Sequence, residues 1–466
     1  VQPAVPALPQ LPEERFVGRG ARGLVDVGAL PGGGGWWIRA GPRAFLRPAE
    51  GQGLSLLLED YCYSVGRREA LPEELLRLRV GGLDDVHIFH NRNGTAAAKI
   101  IRGNEEGAQP DGVQCHPLGP SVSTRASKGG QTAFPKWKLD PKYKNPLDRA
   151  GQKLEGKVVN AVTANRVKGY MKALTQLPRK RAPTRSALDK KATAKAVEYL
   201  EQQFKSMGLR TCRQPFKWQA SSWACCEPDQ GCATCSGTSY NVIGYVPGVD
   251  RKASVTMGAH FDSRPLFSAD APGADDNGSG TASLLAAAKA YALKGVRPES
   301  HVYFVAFGAE EEGLFGSNAF AGELQSGGTG LPAHCRPSGG FSKGASHQAI
   351  TMDMVGWQAP KSVKPTVNLE TYSWATSIVE HLAQASRDHN GHSLVVIHSD
   401  NPFGSDHMSF LDRSMPAVLA IHEYDTDYAD YHKSTDALSN IDYGLLTKIT
   451  RMDVAGLMRL SGVRSR

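Results

Sequence analysis

The chain has 466 residues, 40% hydrophobic and 21% charged, which supports a packed core and excludes wholesale disorder. At roughly 150 residues per domain this allows two or three domains. Lys plus Arg number 54 and Asp plus Glu 46, a net charge of +8; so mild an excess tolerates an acidic partner but calls for no nucleic acid.

Residues 1–125 are rich in Gly and Pro, with Gly32 to Gly35 consecutive. Short β-like pieces occur at Gly35 to Ile38 and Asp85 to Phe89, and one helix is expected from Pro72 to Leu78. The expectation is an accessory or pro-region, β-rich or extended. Residues 126–158 are basic and contain prolines, as a linker would. The chain opens at Val1 without a charged-then-apolar leader, so either a signal has been removed or the sequence is a fragment.

From about 159 to 466 the periodicity sharpens. Helices are expected over Val167 to Leu177 and Ala187 to Met207, the latter ended by Gly208. Apolar strands and helices then alternate: strands Tyr240 to Val246, Ser254 to His260, His301 to Phe307, Gln348 to Met354 and Ala417 to Ile421; helices Ser279 to Leu293, from about Leu314, Tyr372 to Arg387 and Tyr443 to Leu460. Alternation of this kind predicts an α/β fold with a mostly parallel central sheet and helices on both faces. The longest apolar run, Ala282 to Leu293, is interrupted by Lys289 and falls short of the roughly 18 residues of a membrane span, so none is expected.

Eight cysteines are unevenly placed, five of them in an insert at 212–235. Such a cluster reads as a disulfide-stapled insert of an oxidising compartment or as a small metal site. Asn93-Gly94-Thr95 is a glycosylation sequon, in keeping with export. Asn277-Gly278-Ser279 has the same form but falls in a loop assigned below to the site.

Parallel sheets carry their sites beyond the carboxyl ends of the strands. Here those ends are followed by His260-Phe261-Asp262, by Asp275-Asp276-Asn277-Gly278-Ser279, by Glu310-Glu311-Glu312, by Asp353 and by Tyr431-His432. Imidazole with carboxylate is the ligand set of hydrolytic zinc, for which manganese or cobalt can substitute. His260 and Asp262, two apart on an extended chain, share a face, so Asp262 is expected to accept from the imidazole nitrogen that does not bind metal. Three adjacent Glu residues repel one another unless cations lie nearby, and two neighbours can divide the work between metal binding and proton transfer. Each piece alone has a plainer reading: an ion pair, a turn or a helix cap. Their joint order points to a metal centre. Two other patterns fail: His422-Glu423 has Thr426 where the helical zinc motif needs His, and Ser279 lacks the nucleophile-elbow sequence. His334 and His392 are expected on the surface. Ser405-Asp406-His407 reads equally as a prop for the site or as a helix cap.

These motifs, GAHFDSRP, APGADDNGSGT, FGAEEEGLFGS, TMDMVG, SDH and YHKSTD, resemble the M28 family of zinc exopeptidases, over roughly 160 to 463. The resemblance implies a phosphorylase/hydrolase-like fold, two Zn2+ ions bridged by one Asp and by water, and peptide or protein N-termini as substrate. Carried over by motif, His260 and Asp353 hold one metal, Glu311 and His432 the other, and Asp276 bridges them. Glu310 is the general base and Asp262 the orienter of His260. The reading is a secreted or lumenal aminopeptidase. Alternatives are a glutaminyl-peptide cyclotransferase with one zinc, a carboxypeptidase using Arg264, and an inactive binding homologue. Side-chain preference and oligomeric state are not written in these motifs.

Overall fold

The computed structural model describes residues 134–178, 183–221, 234–264, 270–292, 296–400, 402 and 404–464, together with eight strands nearer the N-terminus. The chain divides into two compact units, Val1–Gly130 with Ser221–Trp223, and Gln131–Ala220 with Ala224–Arg466.

In the first unit, β1 (Phe16–Arg19), β2 (Val25–Ala29), β3 (Gly35–Ala40) and β4 (Arg43–Pro48) pair antiparallel in sequence order. β5 (Tyr61–Gly66), β6 (Glu74–Val80), β7 (Asp84–His90) and β8 (His116–Pro117) form a second antiparallel sheet in the order β6-β7-β5-β8. Both β-like pieces read from the sequence are therefore strands. The helix expected from Pro72 to Leu78 is not one: its residues from Glu74 on belong to β6. Leu76, Leu78 and Val80 alternate with Arg77 and Arg79, a period of two that outweighs the helical propensity of Glu and Leu. The Asn93 sequon lies outside the described residues.

Of the segment expected as a linker, residues 134–158 are part of the second unit. Lys136 bridges to Ile397, and the Trp137 indole donates to Glu380 at 2.7 Å. Helix α1 (Arg149–Asn160) follows, capped by Asp148 and burying Leu154, Val158 and Val159. Lysines and prolines dominate the composition here and hide the apolar positions that dock.

The second unit continues with α2 (Ala164–Leu174), α3 (Lys190–Ser206), β9 (Arg210–Ser221), β10 (Thr234–Val246), β11 (Asp250–His260), α4 (Gly280–Tyr291), β12 (Arg297–Pro298), β13 (Ser300–Phe307), α5 (Phe315–Gln325) and β14 (Ser346–Met352). Then come β15 (Thr366–Glu370), α6 (Ser377–Asn390), β16 (Val395–Ser399), α7 (Met408–Leu411), β17 (Ala417–His422), α8 (Tyr443–Ser461) and β18 (Val463–Arg464). Eight strands make one sheet in the order β16-β15-β17-β14-β11-β13-β10-β9. β11 runs parallel to β13 and β14, β14 to β17, and β15 to β16; the pairs β10–β13 and β15–β17 are antiparallel. The sheet is thus mixed, with a parallel centre.

β13 shows why its sequence is apolar throughout. Val302, Phe304 and Ala306 enter the core shared with α1–α4, α6 and α8, while Tyr303, Val305 and Phe307 enter the core shared with α5 and α7. A strand covered on both faces loses the polar half of its alternation. The cysteine insert is tied outward: Cys212, at the start of β9, is bonded to Cys335, 123 residues away. Residues 222–233 lie outside the described residues.

Candidate metal centre

β11, β13, β14 and β17 run in the same direction, so their carboxyl ends share one edge of the sheet. β11 ends on His260, β13 leads into Gly308 to Glu312, β14 is followed by Asp353, and the chain after β17 returns as Tyr431-His432. The loop before α4 brings Asp276 to the same place. Two groups of donor atoms result, each within 4.8 Å: His260, Asp276 and Asp353, and Asp276, Glu311 and His432. Asp276 belongs to both. Its Oδ1 is 3.4 Å from His260 Nε2 and its Oδ2 3.0 Å from His432 Nε2. His260 Nε2 is 3.3 Å from Asp353 Oδ1, and His432 Nε2 is 2.8 Å from Glu311 Oε2. Glu310 Oε2 stands 3.9 Å from His260 Nε2. All five expected ligand residues and the expected base converge, and each of the five is buried.

Asp262 is differently engaged than its spacing suggests. The Nδ1 of His260 lies 3.2 Å from the Asp262 backbone carbonyl and 3.8 Å from its carboxylate. The carboxylate instead accepts the backbone N–H groups of Glu310 (3.3 Å) and Glu311 (3.2 Å). Asp262 orients the imidazole with its main chain and the glutamate loop with its side chain. Glu312, outside the expected ligand set, is also buried.

The loop 273–280 allows little choice of residue. A Cβ on Gly273, whose φ is +51°, would come within 2.4 Å of the Asp276 carbonyl. Asn277 donates to the Met352 carbonyl and accepts from Gly280 N–H, both at 2.8 Å, so the second sequon is buried within the site. Ala309, Met354 and His432 hold left-handed φ values of 54°, 47° and 57° beside the ligands; non-glycine residues in this region gather at functional sites.

Other residues, some within the same motifs and some outside them, support the ligands. Asp275 Oδ1 accepts from Gly356 N–H (2.7 Å) and its Oδ2 is 3.0 Å from His422 Nε2. Asp436 accepts the N–H groups of Asp275 (2.8 Å) and Asp276 (3.0 Å) and the hydroxyl of Tyr428 (2.6 Å). Arg185, fully buried, donates to the carbonyls of Phe261, Pro272 and Gly273. Ser405 donates to Asp353 Oδ2 at 2.8 Å, which decides its reading in favour of a prop for the site. Arg264 donates to the Glu311 carbonyl at 3.3 Å. His334 and His392 are exposed as expected.

The electrostatics follow from crowding. Burial raises the Glu310 carboxyl well above the ordinary range, and Glu311, Asp353 and Asp406 add to it against the pull of His260. Burial opposes a charge on His432, yet Glu311 and Asp276 lift its pKa to about 9. Burial would also raise Asp276, but His260 and His432 hold it well below the usual value. Tyr431 stacks on His432 with ring centres 3.7 Å apart. Tyr431 itself is exposed at 38%.

A divalent cation fits this donor set. Asp276 Oδ2 and His432 Nε2, 3.0 Å apart, are buried and make no hydrogen bond; Glu311 Oε1 is buried and unbonded too, while its Oε2 lies 2.8 Å from His432 Nε2. Donor atoms gathered in burial without hydrogen bonds among them are arranged as ligands are.

Residues 241–456 match the model of peptidase family M28. This segment belongs to that family. Among curated proteins, a probable zinc metalloprotease of Leptosphaeria maculans is 27% identical over 247 residues, 47% of this chain and 57% of its own length. Aminopeptidase YwaD of Bacillus subtilis is 42% identical over 89 residues, 19% of this chain and 18% of its own. The chain thus spans at most about half, and often far less, of the relatives it matches. Among solved structures, the LapA aminopeptidase of Legionella pneumophila superposes with a TM-score of 0.53 at 17% identity, covering 86% of this chain and 98% of that one. The aminopeptidase of Aneurinibacillus sp. strain AM-1 gives 0.50 at 18%, covering 67% and 97%. These superpositions establish a shared fold, as the M28 motifs imply.

Proposed function

We propose that the M28 segment is a metal-dependent aminopeptidase that holds two zinc ions. The observation that carries this is the pair of donor groups sharing Asp276. His260, Asp276 and Asp353 would hold one ion, and Asp276, Glu311 and His432 the other. Bound there, the ions supply polarisation of the scissile carbonyl and a water made acidic near neutral pH. Glu310 takes the water's proton on its carboxylate and returns it to the leaving amine. Asp262 fixes the backbone of Glu310 and Glu311, and so the base, relative to the ligands.

Two donor groups favour this reading over the one-zinc cyclotransferase. Arg264 braces the Glu311 carbonyl, which weakens its use as a pocket for a substrate carboxylate. A complete ligand set disfavours an inactive homologue. The Cys212–Cys335 bond supports a secreted or lumenal site, and among the described residues no helix is long and apolar enough to cross a membrane.

The test is metal analysis of the purified chain together with Leu-p-nitroanilide and its N-acetylated form. Two zinc ions per chain, chelator-sensitive release of nitroaniline and rejection of the N-blocked substrate are expected. A single zinc with ring closure of N-terminal glutamine would favour the cyclotransferase, and equal turnover of the blocked substrate would end the aminopeptidase reading.

A further inference from the structure

The neighbours Asp275 and Asp276 are bonded in opposite senses. Asp276 faces His260 and His432. Asp275 faces away from them, toward Gly356 N–H and His422. His422 closes β17, and its own N–H donates to the Met354 carbonyl at 2.9 Å. The ring is 1% exposed and lies edge-on to Trp357, centres 5.0 Å apart. Its Nδ1 is 3.0 Å from the Glu423 carbonyl and its Nε2 3.0 Å from Asp275. Each ring nitrogen thus lies against an oxygen, the Asp275 contact being close but without a formed hydrogen bond.

The backbone of the same two residues is held separately. Asp436 accepts both amide N–H groups and is itself held by the Tyr428 hydroxyl, which accepts in turn from Asn440 at 3.0 Å. Ser279 donates to the Asp275 carbonyl at 2.8 Å. With these bonds made, the Asp276 carboxylate has only its own side-chain torsions left to set.

We infer that His422 and Tyr428 are positioning residues for the bridging carboxylate, His422 through the Asp275 side chain and Tyr428 through Asp436 and the amide groups, so that together they tune both metal sites at once. The inference rests on the two-metal reading above. It separates these residues from Ser405, which bonds Asp353 and therefore acts on one metal only.

The test titrates the metal-free full chain with zinc against a chromophoric chelator and reads two dissociation constants, with thermal melting of the metal-free protein as the control for folding. Wild type binds two ions; fewer than two would defeat the two-metal reading before any variant is considered. His422→Phe, which keeps a ring against Trp357, weakens both ions by a similar factor of about 10–100. His422→Gln, which restores a donor, recovers a clear part of that loss. Ser405→Ala weakens one ion. Unchanged affinities in His422→Phe, an effect on one ion only, or a Gln variant as weak as Phe would overturn the inference. Should His422→Phe not fold, Tyr428→Phe decides: it lacks one hydroxyl, and both affinities fall about threefold, whereas wild-type affinities would overturn it.

Discussion

The second unit buries two clusters of opposite charges, and they are built on different terms. At one edge of the sheet, His260 and His432 face Asp276, Glu310, Glu311 and Asp353, with carboxylates in excess and buried donor atoms left without hydrogen bonds. Between α1, α6 and α8, Glu155 meets Arg459 through both oxygens (3.1 and 2.7 Å) and His389 at 2.6 Å, while Arg459 also reaches Asp388 at 2.6 Å. Glu155 and Arg459 are buried as the ligands are, while Asp388 is half-exposed. In the second cluster, both oxygens of Glu155 meet donors and the pairs tie helices together; the first crowds four carboxylates around two imidazoles. Burial of charge alone therefore does not mark a functional site; the convergence of several ligand-type side chains with unmet bonding is the stronger sign.

The comparison breaks most sharply at Glu310. In Glu310→Gln the shape of the loop is kept and the ligands are untouched. Metal content and melting temperature should stay near wild type, while kcat for Leu-p-nitroanilide falls by about 10²–10⁴-fold or more. Near-normal turnover with both metals bound would remove Glu310 from proton transfer and leave the crowded cluster without an assigned base.

How far each cluster could be read from the sequence follows the same division. The ligands could be read because a parallel sheet delivers them singly after successive strands: His260 after β11, Glu310 and Glu311 after β13, Asp353 after β14. Supports outside those motifs could not. Arg185 bonds carbonyls 76 to 88 residues away, and nothing in its neighbourhood distinguishes it from a surface arginine. His422 looked only like a failed zinc motif, since its partner Asp275 is remote in sequence. β15 and β16, five residues each, were too short to stand out, and a docked arm rich in lysine and proline read as a linker. Arg459 and Glu155 are 304 residues apart, and neither lies in any pattern.

The matched cluster should answer to stability and not to catalysis. Glu155→Ala leaves Arg459 buried with only the half-exposed Asp388 as its carboxylate partner, at a cost of roughly 3–5 kcal/mol, read by denaturant unfolding, while kcat per folded molecule stays unchanged. A smaller effect follows from pH. Burial pushes the Glu155 carboxyl upward, but the bonds from His389 and Arg459 prevail and hold it below its ordinary value of 4.5. A carboxyl lowered by folding stabilises the native state at all pH above its unfolded value, and that contribution disappears as pH falls through the folded value. The stability gap between wild type and Glu155→Gln should therefore be level above about pH 5 and shrink below it. A gap that widened on acidification would mean that Glu155 is held protonated, and the contrast between a matched and an unmatched cluster would not stand.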